Sequence, residues 1–363
     1  MNPTYKNIHL KFQLNGLYFN QEELKEVAYS FVKEGEPHER SVGDFLIDWL
    51  NDKDYVTVCT SGSTGTPKII KLQKQHMVNS AIATGDFFGV SVGDSALHCL
   101  PATFIAGKMM LVRALILGLS IDLVPPSGYP LADNGKEYDF CAMIPFQLEN
   151  SIDRLNQIKT LIVGGAPVSN ELGKKLQGKR TTVYETYGMT ETVTHIAAKK
   201  LNNFSLEETI KTAYFKALPN VSISSDDRNC LVINAPEVSE ETIITNDIVS
   251  IHSDDTFEWL GRYDNIINSG GVKLIPEQIE AKLKKIISQR FFVTGYPDEK
   301  LGQKLVLLIE DDEAVEQSIW EKIKTFKELN KFEIPKKIVF IDNFKETENG
   351  KIIRDTTVKN ILT

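Results

Sequence analysis

Between residues 55 and 186 short apolar runs alternate with longer amphipathic ones, and this alternation most limits the folds open to the chain. Residues 55–59, 95–100, 120–124, 139–144, 159–163 and 181–186 read as strands, and 73–88 and 107–117 as helices. Successive strands separated by crossovers of about ten residues or more pair in parallel, because a tight turn cannot carry a chain back to the starting edge. The region is predicted to be α/β, a doubly wound, mostly parallel sheet with ligands gathered at the carboxyl ends of its strands. Past residue 204 the pattern changes to closely spaced short strands at 221–224, 230–234, 243–245, 249–252 and 257–260, a β-rich subdomain. It changes again at Gly261-Arg262-Tyr263-Asp264. Beyond lie a helix (276–287), strands (291–295, 304–309), a helix (313–329) and a strand (337–341), so residues 1–263 and 264–363 are predicted as a large domain and a small α+β domain.

Composition narrows the class of partner. At 363 residues the chain has material for two or three domains of roughly 100 to 200 residues. A formal net charge of −8 argues against broad nucleic-acid or anionic-membrane binding. Cys59, Cys99, Cys141 and Cys230 are widely spaced, form no Cys-x-x-Cys pair, and read as buried thiols of a cytoplasmic protein. The polar N-terminus lacks a secretory pattern. The apolar stretch 105–125 holds Lys108, Arg113 and Asp122, each costing about 2.5 to 3.5 kcal/mol at a bilayer centre, so a buried helix leading into a strand is expected there and not a membrane span. Self-association as a homodimer is compatible with the sequence.

The loop Thr60-Ser61-Gly62-Ser63-Thr64-Gly65-Thr66-Pro67-Lys68 follows the first strand. Its glycines admit φ > 0, so successive N–H groups can converge on an anion, while hydroxyls and Lys68 add donors and charge. A solvated Ser/Gly turn is the plain alternative. A Walker loop is disfavoured, because Thr-Pro precedes Lys68 and no hydroxyl follows it. Downstream, Gly164-Gly165-Ala166-Pro167 closes a strand with small residues that let a flat base approach. Tyr184-Glu185-Thr186-Tyr187-Gly188-Met189-Thr190-Glu191-Thr192 combines a ring, hydroxyls and a carboxylate.

Together with Thr245-Asn246-Asp247, the 261–273 segment and Asn349-Gly350-Lys351-Ile352-Ile353-Arg354, these motifs resemble, in order, those of the adenylate-forming (acyl-CoA synthetase/luciferase) superfamily. The resemblance runs from residue 60 to 354. It implies an AMP-forming acid–thiol ligase using ATP, Mg²⁺ and CoA. Thr60, Ser61, Gly62, Ser63, Thr64, Gly65 and Lys68 would hold pyrophosphate, and Gly165, Ala166, Thr186, Tyr187 and Gly188 would also bind ATP, with Tyr187 stacked on adenine. Thr190 would contact phosphate, Glu191 would hold Mg²⁺, Asp247 would accept from the ribose hydroxyls, and Arg262 would lie near ribose and phosphate. Asp264 would be the hinge, Gly270 and Gly271 would let a pantetheine thiol approach, and Lys351 would be the catalytic lysine. Asn246 replaces the family's glycine, and asparagine tolerates φ > 0, so the turn is expected to survive.

Only about 60 residues precede the phosphate loop, fewer than most members have, and small o-succinylbenzoate:CoA ligases of menaquinone biosynthesis share this trait. Residues 100–113 resemble their Pro-Leu-Phe-His-x-x-Gly block, with Phe104 where most have histidine. Their substrate carries two carboxylates, so Lys108, Arg113 and His195, with Phe104, are the candidate acid-binding residues. A CoA ligase for another aryl or short acyl acid, a stand-alone adenylation domain and an inactive nucleotide-binding module remain the alternatives.

Overall fold

The computed structural model describes residues 3–59, 69–132, 135–204, 214–311, 316–346 and 352–359. Two short strands, β1 (Gln13–Leu14) and β2 (Leu17–Tyr18), lead into α1 (Gln21–Glu34) and α2 (Pro37–Leu50). Asn20 Oδ1 accepts from the N–H groups of Glu22 and Glu23, and Glu23 returns a bond to Asn20 N. This capping box satisfies helix-end donors that no carbonyl reaches. Next, β3 (Tyr55–Cys59) and β4 (Ile69–Gln73) pair antiparallel with Cys59 opposite Ile69, so the strands flanking residues 60–68 end side by side. Cys59 lies on the exposed face of β3, a correction to the expectation of four buried thiols. Strand alternation turns it outward, while Cys99, Cys141 and Cys230 are buried.

The expected α/β region follows as α3 (Lys74–Phe88), β5 (Ser95–His98), α4 (Ile105–Leu117), β6 (Ser120–Leu123), β7 (Tyr138–Met143), α5 (Pro145–Asn150), β8 (Ile158–Val163), α6 (Asn170–Lys175) and β9 (Thr182–Gly188). Strands β6, β5, β7, β8 and β9 pair in parallel, and β1 joins β6 in the same sense. Alternate residues serve two cores. Ala96, Phe140, Ala142 and Ile162 pack with residues of α1 to α4, whereas Leu97, Cys141, Met143 and Leu161 pack with Leu148 of α5 and Leu172 of α6. Both sheet faces are thus covered, as a doubly wound sheet requires. The apolar stretch at 105 is α4, ended by Gly118 at φ 72°, followed by β6. No helix of the described residues is long and apolar enough to cross a membrane.

The β-rich region is continuous with this sheet. Strands β10 (His195–Lys200), β11 (Phe215–Ala217), β12 (Ser222–Ser225), β13 (Cys230–Asn234), β14 (Ile243–Ser253) and β15 (Thr256–Arg262) pair antiparallel onto β9, giving thirteen strands in one sheet among the described residues. The strands expected at 243–245 and 249–252 are one strand, β14. Its register against β15 shifts between Ile248 and Val249, and that bulge breaks the alternation by which a single strand is recognised. A second sheet with its own core comprises β16 (Ile267–Ser269), β17 (Val272–Leu274), β18 (Arg290–Asp298), β19 (Gly302–Glu310) and β20 (Lys337–Ile341), with α7 (Pro276–Leu283), α8 (Glu316–Thr325) and α9 (Arg354–Lys359) alongside in sequence. Helix α7 ends at Leu283, four residues before the expected boundary.

His98, 3% exposed at the end of β5, donates from Nε2 to Gly107 O (3.2 Å) on α4. Burial lowers its pKa to about 4, so the folded state carries it neutral. A folded pKa below the unfolded value near 6.5 means that the unfolded chain binds the extra proton, and stability falls as pH drops through that window. We expect acidification from pH 7 to 4.5 to cost the wild type about 2 to 3 kcal/mol more than the His98→Gln variant, measured by urea denaturation at both pH values. Equal losses would contradict this assignment.

Candidate active site

The motif loops leave the carboxyl ends of parallel strands of one sheet. Residues 101–104 follow β5, 164–168 follow β8 and 189–194 follow β9, the geometry in which open α/β sheets bind ligands. A Cβ on Gly164 would lie 2.6 Å from Thr186 Oγ1, which donates to Val163 O (3.1 Å) and closes the first loop against β9. Gly165, at φ 85°, and Ala166 are exposed. Buried Glu185 holds the same loop by accepting from Val168 N (3.1 Å), and its other oxygen pairs with Lys199 (2.6 Å). The sequence alone assigns Glu185 no role, since alternation does not say which loop a strand carboxylate will hold.

After β9 the chain reverses. A Cβ on Gly188 would stand 2.2 Å from Thr194 O, so only glycine lets β10 fold back this closely. Thr192 Oγ1 accepts from Met189 N and donates toward Met189 O and Thr194 O. Buried Val193 sits at φ 66°, ψ −59°, a strained γ-turn for a β-branched residue. The reversal leaves Glu191 exposed beside half-buried Thr190, and Glu191 makes no hydrogen bond or ion pair among the described residues. It also carries His195 inward.

Tyr187 reaches across to the antiparallel half of the sheet. Its ring packs near Phe257 (5.3 Å between centroids) and Phe215 (5.8 Å), and its hydroxyl donates to Asp247 Oδ2 (2.7 Å). Burial first, then Asp247, push the hydroxyl pKa far above its usual value, so it remains a donor. Trp259 Nε1 donates to Asp247 Oδ1 (3.1 Å), and Arg262 faces the same oxygen at 3.5 Å. Burial works against the Arg262 charge, yet Asp247 and Asp264 overcome it and raise the guanidinium pKa. Asp264 accepts from Arg262 Nη2 (3.1 Å) and from Asn246 Nδ2 (3.2 Å), while Asn246 Oδ1 accepts from Arg228 (2.9 Å). Asn246 is not among the residues with positive φ. It is part of extended β14, a correction to the expected turn, and its amide bridges Arg228 and Asp264, which glycine could not do. Gly270 (φ 57°) and Gly271 (φ 81°) form the turn between β16 and β17, the two-glycine geometry of a tight hairpin.

The acid-binding candidates separate into two places. Arg113 is 1% exposed and bonds through Nε to Thr84 Oγ1 (3.3 Å) and through Nη2 to His195 Nδ1 (3.5 Å). No carboxylate pairs with it among the described residues, and burial lowers its pKa to about 9. Burial first, then Arg113, push the His195 pKa well down, so that ring is neutral. His195 also lines a cavity of about 410 Å³ beside Asn79, Ser80, Ala83, Ile196 and Leu218. Lys108 is elsewhere, its ammonium 5.1 Å from the Phe45 ring centre on α2, and half-buried Phe104 precedes the first turn of α4. Five positions along a helix turn a side chain by about 140°, so Lys108 and Arg113 leave α4 in different directions. Sequence reading missed Thr84, Trp259 and Arg228, ordinary residue types whose partners lie on other elements of the fold.

Thr60, Ser61, Gly62, Ser63, Thr64, Gly65, Lys68 and Lys351 lie outside the described residues. Just after Lys351, Arg354 makes a two-pronged contact with buried Glu280 of α7 (2.8 Å on each oxygen).

A family model described as AMP-binding enzyme matches residues 17–229. The chain is 26% identical over 330 residues to a 2-succinylbenzoate–CoA ligase of Geobacillus sp. (strain WCH70), covering 81% of this chain and 66% of that protein. Here the chain spans about two thirds of the curated relative's length. A crystal structure of an acyl-CoA synthetase (AMP-forming)/AMP-acid ligase II-like protein from Dyadobacter fermentans is 35% identical at TM-score 0.61, covering 93% of this chain and 98% of that one. The o-succinylbenzoate coenzyme A synthetase of Bacillus subtilis, solved with ATP and magnesium ion, is 20% identical at TM-score 0.72 over 95% of this chain and 83% of its own. At that identity the likeness is one of fold.

Tyr187→Phe keeps the ring and removes only the hydroxyl bond to a buried carboxylate, a loss of about 1.5 to 3 kcal/mol in chemical denaturation. Combined with Asp247→Asn in a double-mutant cycle, it should show a coupling of at least about 1 kcal/mol. Simple additivity would contradict the direct bond.

Proposed function

The chain belongs to the AMP-binding enzyme family, and on that premise we propose that it is an ATP-dependent acid:CoA ligase acting on o-succinylbenzoate, in the cytoplasm, on the route to menaquinone. The observation that carries the choice of acid is Arg113, a buried cation without a carboxylate partner among the described residues, one hydrogen bond from a histidine that lines the cavity. A lone buried charge is costly, and a substrate carboxylate would offset that cost through short, charge-assisted bonds. The Geobacillus relative is named for an acid that has two carboxylates, one to react and one to be held.

In this reading the reacting carboxylate attacks the α-phosphorus of ATP. A new P–O bond forms, the bond to the β-phosphate oxygen breaks, and pyrophosphate leaves. The CoA thiol then adds to the acyl carbon and AMP departs with the C–O bond electrons, the thiol proton passing to solvent. Residues 60–68 hold the pyrophosphate, and Lys351 stabilises charge spreading over the carboxylate and α-phosphate oxygens. Asp247 receives the ribose hydroxyls on its remaining lone pairs, and Arg262 faces the phosphates from the same cluster. Glu191, exposed and unpaired among the described residues, fits a Mg²⁺ site, because that ion accepts a single carboxylate plus phosphate oxygens and supplies positive charge to them. Residues 264–363 act as the small domain, turning about Asp264 between the half-reactions so that Lys351 and Gly271 serve one site in turn.

Two measurements test the reading. Pyrophosphate release screened across acids with CoA should be fastest with o-succinylbenzoate. Fast turnover with only benzoate or acetate would overturn the substrate, and silence on every acid would point to a nucleotide-binding module. Lys351→Ala should slow adenylation by about 100-fold or more while leaving thioester formation from supplied acyl-adenylate nearly intact. Equal loss of both steps would contradict the division of labour.

A further inference from the structure

Thr84 is fully buried on α3 and is not one of the residues lining the cavity, yet it touches both groups on which acid recognition rests. Its hydroxyl donates to Ser80 O (2.8 Å), which leaves the oxygen's lone pairs free to accept. Arg113 Nε lies 3.3 Å from that oxygen and His195 Nε2 lies 3.4 Å from it. The direction of the second bond follows from the other side of the imidazole. A guanidinium only donates, so Nδ1, 3.5 Å from Arg113 Nη2, must accept, and the ring proton resides on Nε2, pointing at Thr84. Each proton in the cluster therefore has one consistent place.

We propose that Thr84 is a positioning residue for acid recognition: it fixes His195 in the Nε2–H tautomer and orients the Arg113 guanidinium so that its remaining N–H groups meet the second carboxylate of a diacid substrate. This rests on the reading of Arg113 as the acid-binding cation given under Proposed function. The two contacts on the guanidinium go to neutral acceptors and are long, at 3.3 and 3.5 Å, so they set its direction without using its capacity for a carboxylate. His195 contributes as an acceptor and not as a second cation. Lys108, against Phe45, has no described contact with the cluster.

The test compares Thr84→Val, which keeps shape and loses the acceptor, with Thr84→Ser, which keeps the acceptor. Substrates are o-succinylbenzoate and 4-oxo-4-(2-methylphenyl)butanoate, which keeps the reacting succinyl carboxyl and has a methyl group in place of the aromatic carboxyl. Thr84→Val should raise KM for the diacid at least about tenfold with kcat within about threefold, and Thr84→Ser should restore it to within about threefold. KM for the monoacid should move less than about threefold in either variant. Equal KM changes for the two acids, a fall in kcat for both, or an unchanged diacid KM would overturn the proposal. Nitrogen-15 histidine NMR supplies a readout independent of turnover: the wild type should show His195 with Nδ1 unprotonated and Nε2 protonated, and Thr84→Val should mix the tautomers. If no diacid is turned over by the wild type, the acid reading fails by itself, while an unchanged tautomer in Thr84→Val overturns the positioning role.

Discussion

The large sheet changes from parallel to antiparallel at one reversal, between β9 and β10, and the space at Gly188 decides whether it can be made. With Thr194 O 2.2 Å from where a Cβ would stand, the two strands close only on glycine, and the chain accepts a left-handed Val193 to complete the turn. Such strain costs of order 1 to 3 kcal/mol and persists only where surrounding contacts hold it, here the Thr192 hydroxyl bridging Met189 and Thr194. The return is positional. Tyr187 enters the reversal aimed at Asp247, Glu191 stands exposed at its apex, and His195 leaves it pointing into the core beside Arg113.

Two polar clusters flank that turn and differ in their electrostatics. Around Asp247 the charges are matched: one buried carboxylate receives a phenol and an indole N–H and faces Arg262, whose other neighbour, Asp264, is tied back through Asn246 to Arg228. This cluster joins β9, β14, β15 and the turn that begins the second sheet. Around Arg113 the charge is unmatched, held by a threonine and a neutral histidine. A complete ion pair there would be a structural feature. Here it is incomplete, one hydrogen bond from a histidine that lines a cavity, which is the ground for the proposed anion there.

Much of this was legible in the sequence, and the reasons are specific. The central parallel strands showed because they are buried on both faces and carry apolar runs, as in Leu161-Ile162-Val163 of β8. The ordered motifs named Tyr187 and Asp247, whose side chains meet through the tyrosine hydroxyl. What failed to show depends on partners far along the chain. That β12 to β15 extend the parallel sheet is decided by β10 and β11, which alternation left unassigned. Strand β14 split in two because polar Asn246-Asp247 and a register shift interrupt its pattern. Helices α1 and α2 were passed over although Asn20 and Glu23 stand at capping-box spacing. Thr84 carries no signal at all; its role exists only because α3, α4 and β10 meet.

The account stands or falls on whether Arg113 is a receptor for a second carboxylate. Calorimetric titration with two non-hydrolysable acyl-adenylate analogues, one bearing the free aromatic carboxylate and one with methyl in its place, addresses this directly in wild type and in Arg113→Leu. The predicted result is a preference of at least about 100-fold for the carboxylate-bearing analogue in the wild type, largely erased in the variant. Equal affinity for the two analogues in the wild type would contradict it.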